Sequence, residues 1–294
     1  RMKLADVKAE MLTDLKASGL NQKHAKALGV RPVLPDEMHD IAGRKVHGYV
    51  IPYYSPDGGK QEFYRVKFLS QAAAFGSAFK QKYHQPSGTL PAIYYPPLLP
   101  WRDVLQSASV PVYITEGEKK AASLCAHDLP CLGLGGVWSW KSKKAGFEHL
   151  PDFDSMAMEG REVVIVYDSD MSSKPQVAGA MHAFAKELLR LGAVPHFIDL
   201  PDIIGGGKTG LDDFLVHGGG REAFLDLPRS EFELVAELWK LNSEVAYIHS
   251  PPSIYIHADD ELVKQGDLVN LVMANRRIMI TDAKGEEREA NAAD

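Results

Sequence analysis

The sequence has little cysteine: Cys125 and Cys131, in the stretch "CAHDLPC", are the two cysteines among 294 residues. His127 stands between them, but this spacing is a weak sign of a metal site, because a zinc site needs three or four ligands. We therefore expect both cysteines to be structural. So low a cysteine content fits a reducing compartment best, and we expect a cytoplasmic protein.

Long hydrophobic runs are absent as well. The apolar stretches are far shorter than the roughly 20 residues that a transmembrane helix needs, so we expect no membrane-spanning helix and no membrane partner. The first residues, "RMKLADVKAE", contain no apolar segment of the kind found in secretory signal peptides. With 45% hydrophobic and 24% charged residues, the composition is that of an ordinary globular protein.

The charge of the chain is divided unevenly along its length. The net charge is −6. Residues 1–110 carry 15 basic and 9 acidic side chains, whereas residues 111–294 carry 18 and 30. This division suits a protein in which one module binds a polyanion and is joined to a second module that binds metal. Many unrelated proteins show such a division by chance.

The front part changes from helical to strand patterns. Residues 1–30 predict short helices, punctuated by Gly19 and Gly29. From Val46 the pattern "VHGYVIPYYSPDGGKQEFYRVKFL" predicts two strands joined by the turn "SPDGG", which is a strong hairpin signal. The stretch that follows, "KYHQPSGTLPAIYYPPLLPW", contains too much proline for a regular helix.

From residue 111 onward, strands alternate with helices, which is the pattern of a parallel sheet. The segments "VYIT", "CLGLGG", "REVVIVYDSD" and "PHFIDL" predict strands. The segments "EKKAASLCAH", "VAGAMHAFAKELLRLG" and "GLDDFLVHGG" predict helices. The run from Val163 to Tyr167 is apolar without alternation, which is typical of a strand buried on both faces.

Residues 231–294 form a third region of mixed pattern. It begins with the predicted helix "EFELVAELWKLN" and continues with the predicted hairpin "VAYIHSPPSIYIH". The segment "ELVKQGDLVNLVMAN" then predicts a second helix. The polar end of the chain, "DAKGEEREANAAD", predicts disorder.

Acidic residues fall at or just beyond the carboxyl ends of predicted strands. Glu116 follows "VYIT", Asp168 and Asp170 follow "VVIVY", and Asp212 and Asp213 follow the glycine-rich loop after "PHFIDL". Open α/β sheets usually bind ligands at this edge. At strand period two, Asp168 and Asp170 point the same way and can share one hard cation. A strand end capped by solvated acids remains the alternative.

The loop "GGGKTG" is similar to a phosphate-binding loop but lacks its spacing. A Walker A motif needs a glycine five residues before Gly207, and Asp202 stands there instead. Lys208 either approaches a phosphate or belongs to a plain surface loop. No set of Ser, His and Asp stands out for nucleophilic catalysis, and Cys125 lies on an apolar helical face.

The segments "ITEGEKKA", "IVYDSD" and "TGLDDFL" together resemble the Toprim domain, which is the catalytic fold shared by DnaG-type primases, topoisomerases and some nucleases. They span roughly residues 111–220. The front part extends the likeness, because "GYVIPYYSPDGGKQEFYRVKF" and "KYHQPSGTLPAIYY" resemble the basic subdomain before Toprim in bacterial primases. The chain is most similar to Toprim proteins of phages, plasmids and integrative elements, which are often fused to a replicative helicase.

The resemblance implies an α/β fold in three parts. Residues 1–110 would form a basic α+β primase-like subdomain, and residues 111–225 a Toprim-like βαβ domain with a parallel sheet. Residues 226–294 would form a small α+β region that leads toward a helicase. The implied function is that of a DNA primase in phage or mobile-element replication, which makes short primers from nucleoside triphosphates on a single-stranded DNA template by metal-dependent nucleotidyl transfer.

The resemblance also implies roles for individual residues. Glu116 would be the catalytic acid or base, and Gly117 would permit the tight turn that lets Glu116 face a metal-bound phosphate. Glu118 would join the site or merely stabilise the helix start. Mg²⁺ or Mn²⁺ would be held by these residues: Asp168 and Asp170, with Asp212 or Asp213 in support. Nucleic acid or nucleotide would be contacted by these: Arg65, Lys67, Lys82, Tyr83, Lys119 and Lys208.

Two departures from the primase pattern stand out. Many primases carry an aspartate four residues after the first glutamate, where this chain has Lys120, so the ligand set available to a second metal differs. No cysteine-rich zinc-binding domain precedes the core, so we expect start-site selection to differ or to lie elsewhere.

Alternatives to a primase remain open at this point. A Toprim nuclease would use the same acids with water as the nucleophile. A non-catalytic DNA-binding adaptor would tether a replicative helicase and carry vestigial acids. A topoisomerase would need a strand-passage domain with a tyrosine, for which the chain has little room. The sequence also fits a fragment of a longer primase–helicase.

Overall fold

The structure is a computed structural model. It describes residues 2–69, 81–169, 175–203 and 208–232, together with five short strands between residues 245 and 291. The chain divides into two compact units, residues 1–229 and residues 230–294. Within the described residues, no helix has the length and apolar character needed to cross a membrane. The predicted domain boundaries at residues 110 and 225 stay predictions.

The front part of the first unit combines short helices with an antiparallel sheet. Its helices are α1 (Leu4–Lys16), α2 (Gln22–Ala27), α3 (Pro35–Ala42) and α4 (Trp101–Gln106). Its strands, paired in this order, are β1 (Arg31–Val33), β2 (Gly48–Tyr54), β3 (Lys60–Phe68) and β4 (Tyr83–His84). The predicted hairpin is confirmed, because β2 and β3 are antiparallel neighbours.

The alternation along β3 separates a hydrophobic face from a charged one. Val66 and Phe68 are buried in a hydrophobic cluster with Val33, Met38 and Val46. Because side chains alternate along a strand, Arg65 and Lys67 point to the opposite face. The strands β2 and β3 lie close together at Gly48, where an added Cβ would lie 2.0 Å from the carbonyl oxygen of Lys67. A side chain at this position would therefore push β2 and β3 apart.

The rear part of the first unit is built from alternating strands and helices, as predicted. Its strands are β5 (Val112–Glu116), β6 (Cys131–Leu134), β7 (Glu162–Val166) and β8 (Val194–Ile198). Its helices are α5 (Glu118–Cys125), α6 (Pro175–Arg190), α7 (Leu211–His217) and α8 (Gly220–Leu225). The four strands run parallel in the order β6–β5–β7–β8.

The order of the strands determines where the acids meet. β5 and β7 are neighbours, with Ile114 paired with Ile165. This register brings Glu116, at the end of β5, near the level of Asp168, which lies just beyond β7. The run from Val163 to Tyr167 is buried as the sequence predicts. Hydrophobic burial of these strands fixes the edge at which the acids stand.

A buried arginine just before β7 forms hydrogen bonds with the end of α4 and with the segment before β5. Arg161 has no exposed surface, and its guanidinium donates hydrogen bonds to backbone carbonyls. These carbonyls belong to Val104, Leu105, Val110 and Ala157. The cation thereby links carbonyl groups at the end of α4, before β5 and before β7.

Both cysteines are buried and form no disulfide. The backbone N–H of Cys131 donates to the Sγ of Cys125 at 3.4 Å. Burial raises the pKa of the Cys125 thiol to about 12. A thiol held neutral in this way is a poor ligand and nucleophile, which agrees with the structural role predicted for it.

The second unit is described as six strands. They are β9 (Ser230–Glu231), β10 (Val245–Ile248), β11 (Ser253–Ile256), β12 (Glu261–Val263), β13 (Arg277–Thr281) and β14 (Glu287–Asn291). The predicted hairpin is confirmed, since β10 and β11 pair antiparallel. The predicted helix from residue 231 lies mostly outside the described residues.

Two predictions for the second unit are wrong. The helix predicted from Glu261 begins instead as β12, which pairs with β11. The tail predicted to be disordered contains β14, which pairs with β13 from Arg277 to Asn291. In both places, backbone hydrogen bonds to a neighbouring strand outweigh the local sequence pattern, because strand formation depends strongly on context.

Candidate active site

A cavity of about 220 Å³ lies at the carboxyl edge of the parallel sheet. Most of the residues predicted for the site line it: Arg65, Tyr83, Glu116, Lys119, Asp168, Lys208 and Asp212. Gly117, Glu118, Lys120 and Gly135 complete the lining. The cavity therefore collects side chains from the front sheet, from the turn between β5 and α5, and from the loop before α7.

The turn between β5 and α5 depends on Gly117. Its φ angle is 105°, a conformation that glycine adopts far more readily than other residues. The turn leaves Glu116 half-buried at the cavity. Among the described residues, the Glu116 carboxylate forms no hydrogen bond or ion pair, so its oxygens are available to a ligand.

Glu118 is buried and paired rather than exposed at the helix start. Its side chain is 2% exposed, and its Oε1 accepts hydrogen bonds from Arg65 Nη1 at 2.6 Å and from the Tyr53 hydroxyl at 2.7 Å. Burial on its own would lower the pKa of Arg65, but the charge of Glu118 raises it. Burial and the same carboxylate raise the pKa of Tyr53 well above its usual range.

The pairing with Glu118 also positions Arg65. The guanidinium lies 5.1 Å from the centre of the Tyr83 ring, and its Nη1 lies 3.3 Å from the position that a Cβ on Gly135 would take. Arg65 is 13% exposed. Its predicted contact with nucleic acid would therefore involve the small part of the guanidinium that the cavity leaves open.

A second cluster forms around Asp14 on α1. Lys67 Nζ lies 2.6 Å from Asp14 Oδ1, and Lys119 Nζ lies 3.2 Å from Asp14 Oδ2. Burial would raise the pKa of Asp14, but the charges of Lys119 and Lys67 outweigh it and lower the pKa. Burial, together with the nearby charge of Lys119, lowers the pKa of Lys67 to about 8. Two of the predicted nucleic-acid contacts are thus already paired within the protein.

Asp168 is held between two lysines. It is 6% exposed, its Oδ1 accepts a hydrogen bond from Lys120, and its Oδ2 lies 2.5 Å from Lys208 Nζ. The strand end is tied to the loop that carries Lys208, because Ser169 and Thr209 exchange two hydrogen bonds. A buried carboxylate needs such compensation, and here lysine supplies it.

The two acids of α7 have different surroundings. Asp212 is buried, lines the cavity, and accepts a hydrogen bond at 2.5 Å from the Ser18 hydroxyl. Asp213 Oδ2 instead accepts a hydrogen bond at 3.0 Å from the backbone N–H of Gly210, which is the N-cap residue of α7. Asp213 therefore stabilises the start of the helix.

The two remaining predicted residues are Asp170 and Lys82. Asp170 lies outside the described residues. Lys82 is exposed next to β4, and its carbonyl accepts a hydrogen bond at 3.0 Å from the backbone N–H of Phe68. Tyr83, the next residue, lies below Arg65 and 5.7 Å from Lys67 Nζ.

The acids have the right chemistry for a hard cation, but not a preformed site. Carboxylate oxygens of Glu116, Asp168 and Asp212 line one cavity, and Mg²⁺ prefers such ligands. Within the part of the chain that the structure describes, no group of three or more His, Cys, Asp or Glu side chains is arranged to hold a metal ion. Two lysines already bind the oxygens of Asp168.

Several residues of the site are missed by sequence reasoning. Lys120 is noted there as a departure from a pattern, not as a partner of Asp168. Asp14 and Ser18 belong to a helix and a turn with no distinguishing motif. Each of these contacts joins residues at least 48 positions apart, so local spacing carries no signal of them.

Part of the chain matches known sequences. Residues 100–222 match a domain of unknown function, DUF3854. An uncharacterized protein of Picosynechococcus sp. is 28% identical over 132 residues, which cover 41% of this chain and 13% of that protein. The chain thus spans only about an eighth of this curated relative.

Solved structures of DnaG primase cores have a similar fold. The DnaG catalytic core matches with a TM-score of 0.55 and 14% identity, covering 82% of this chain and 79% of that one. A DnaG primase catalytic domain bound to single-stranded DNA matches with a TM-score of 0.54 and 15% identity, over 84% of this chain and 81% of that one. The E. coli primase catalytic core matches equally well at 15% identity, over 82% and 79%. The chain therefore has a mixed α/β fold like that of the DnaG catalytic core.

The buried ion pair between Arg65 and Glu118 should stabilise the fold as a unit. Glu118→Met or Arg65→Met alone should each reduce the free energy of unfolding by about 3 kcal/mol, because each leaves a buried charge without its partner. The double variant should lose much less than the sum of the two. Urea unfolding of the four proteins measures the coupling.

The exposed pair Arg31 and Glu37 is a suitable control, since its charged atoms lie 2.7 Å apart with about half of each side chain exposed. Its coupling energy should be below about 1 kcal/mol. Additive losses for Arg65→Met and Glu118→Met would show that the buried pair does not act as a unit.

Proposed function

We propose that this chain is a primase-type nucleotidyltransferase that joins nucleoside triphosphates into short primers on single-stranded DNA. The observation that carries the proposal is the cavity itself. Carboxylates and lysines, Asp168, Lys120 and Lys208 among them, meet at the carboxyl edge of the parallel sheet. Ligands bind at this edge in open α/β sheets, and the fold is like that of primase catalytic cores.

The lysines suit a triphosphate substrate. Lys208 is about half exposed, whereas Asp168 beneath it is buried, so the ammonium group can meet a ligand that enters the cavity. Phosphate oxygens form strong charge-assisted hydrogen bonds with lysine. They would compete with Asp168 for Lys120 and Lys208 and thereby free carboxylate oxygens.

We include Mg²⁺ or Mn²⁺ in this proposal. When bound, the ion would neutralise part of the triphosphate charge. Asp168 would hold it after one lysine has moved to a phosphate, with Asp170 as the second carboxylate and Asp212 in support. Asp213 fits this role less well, because it caps α7. The affinity of the free protein for the ion should accordingly be weak.

Glu116 is the residue that we propose to handle the proton. It is half-buried at the cavity, and no described side chain occupies its carboxylate. A general base must reach the proton that it removes and must not be held by another partner. Glu116 would take the proton of the primer 3′ hydroxyl as that oxygen attacks the α-phosphorus of the incoming nucleoside triphosphate and pyrophosphate leaves.

The front sheet is the proposed path of the template. Lys82 is exposed just before β4, and it precedes Tyr83, whose ring lies beside the cations Arg65 and Lys67. Aromatic rings beside cations are a common means of holding single-stranded nucleic acid. We further propose that residues 226–294 lead toward a replicative helicase in a phage or mobile-element protein.

A non-catalytic DNA-binding adaptor is a second candidate, and one observation favours it. Two lysines neutralise Asp168, as they would if the acid served only to hold the structure together. The two candidates differ in whether the protein synthesises primers. A nuclease, which would use water in place of the primer hydroxyl, is tested in the same reaction mixtures by the loss of full-length template.

Primer synthesis tests the function directly. The wild-type protein should join labelled nucleoside triphosphates into short primers on several single-stranded templates in the presence of Mg²⁺ or Mn²⁺. Glu116→Gln and Asp168→Asn keep the side-chain shapes and remove the charges, so each should reduce synthesis at least about 100-fold. Gel analysis of the products measures this.

Asp36→Asn is the matched control, because Asp36 is exposed on α3. It should leave synthesis unchanged, and the urea midpoint of each of the three variants shows whether it is folded. Synthesis at the wild-type level by both Glu116→Gln and Asp168→Asn would overturn the proposal. Template binding with no product under any condition would favour the adaptor.

Lys82 provides a separate test of the template path. Lys82→Ala should weaken binding to single-stranded DNA of every sequence and reduce the slope of log affinity against log salt by about one ion, because one phosphate contact is lost. Fluorescence anisotropy at several salt concentrations measures both quantities. Lys186→Ala, which removes an exposed lysine on α6, should change neither. An unchanged slope for Lys82→Ala would remove Lys82 from the template path.

A further inference from the structure

An aromatic stack reaches the surface in the loop that follows β6. Trp140 is buried at 3% exposure and stacks on Phe184 of α6, with ring centres 5.0 Å apart and 21° between the planes. Trp138 lies 6.3 Å from Trp140 at an angle of 27° and is 45% exposed. One end of the stack is therefore rooted in the core, and the other end meets solvent.

The backbone of this loop is closed by hydrogen bonds, so the exposed ring is held in place. The N–H of Ser139 donates to the carbonyl of Gly136 at 2.8 Å, and the N–H of Leu150 donates to the carbonyl of Trp140 at 2.8 Å. A single exposed apolar residue is ordinary on protein surfaces. An indole supported from beneath by a second indole is a flat, preorganised surface.

Lysines surround the exposed indole. Lys141 Nζ lies 4.7 Å from the centre of the Trp138 ring and 4.4 Å from that of Trp140. Trp138, Lys141 and Lys143 line a hollow of about 360 Å³. Lys143 and its neighbour Lys144 are exposed, and neither forms an ion pair with any residue that the structure describes. The hollow thus combines an aromatic floor with unneutralised positive charge.

The loop also borders the candidate active site. Gly135 lines that cavity, next to the guanidinium of Arg65. Trp138 follows three residues later, and three residues of chain span at most about 11 Å. A strand of nucleic acid that passes the cavity can therefore reach the exposed indole within a few nucleotides.

We propose that Trp138, with Lys141 and Lys143, is a stacking site for an unpaired base of single-stranded DNA beside the candidate active site. Every base has a flat face that stacks on an aromatic ring regardless of sequence, and the phosphates that flank it carry the charge that lysines attract. The proposal rests on the proposed function for its ligand class. A membrane surface is the less favoured ligand, because such sites need a broad apolar face, whereas Trp138 stands alone among the lysines.

Binding measurements with the full chain test this site. The probe is a fluorescein-labelled oligothymidylate, and anisotropy gives the dissociation constant. Trp138→Ala should weaken binding about tenfold with an unchanged salt slope, because stacking is lost and charge is not. Trp138→Phe should restore most of the affinity. Lys141→Ala with Lys143→Ala should weaken binding and reduce the salt slope by about one to two ions.

The control is Leu4→Ala, which removes an exposed apolar side chain on α1 and should leave binding unchanged. The urea midpoint of each variant shows whether it is folded. Wild-type affinity in folded Trp138→Ala would overturn the stacking site. The stacking site would also be overturned if Trp138→Ala reduced binding to vesicles that contain anionic lipid but did not reduce binding to the oligonucleotide.

The result is separable from that of the proposed function. A wild-type protein that makes no primers but loses oligonucleotide affinity on Trp138→Ala would keep the stacking site and overturn the primase. Active primer synthesis together with unchanged binding by Trp138→Ala would keep the primase and overturn the stacking site.

Discussion

Negative charge gathered at one edge of a buried sheet must be compensated, and the arrangement of the site follows from this constraint. The parallel strands place Glu116 and Asp168 at the same edge because their apolar residues are buried on both faces. Of the acids near this edge, the buried ones with cation partners are Glu118 and Asp168, because a buried carboxylate needs a cation or a proton. Glu118 has Arg65, and Asp168 has Lys120 and Lys208. These pairs join the front sheet and the loop before α7 to the edge of the parallel sheet.

Much of the fold can be predicted from the sequence because its signals are local. Unbroken apolar runs and the alternation of strands with helices indicate the parallel sheet, and the turn "SPDGG" indicates the hairpin of β2 and β3. The second unit shows where this reasoning fails. Residues 261–263 have an apolar pattern that suits a helix, but pairing with β11 makes them a strand. Strand formation depends on pairing with another strand, so the local pattern of one segment does not reveal it.

The candidate site, like the fold, is predictable from the sequence only in part. Glu116, Asp168 and Asp212 can be found because each acid stands next to a recognisable strand or helix start. Their partners cannot, since the lysine or arginine that neutralises an acid is chosen by the tertiary structure. Arg65 illustrates this: the resemblance to primases implies a contact with nucleic acid, whereas the structure pairs it with Glu118, 53 positions further along the chain. Trp138 lies in a glycine-rich loop whose sequence does not show that its indole rests on another.

We propose that Lys120 occupies a position at Asp168 that a divalent cation would otherwise take. Titration of Mn²⁺ followed by electron paramagnetic resonance tests it without any need for catalysis. Lys120→Met should bind Mn²⁺ about tenfold more tightly than the wild type, because a positive charge next to Asp168 is removed. This gain should disappear when Asp168→Asn is added. Equal or weaker binding by a folded Lys120→Met variant would contradict the claim.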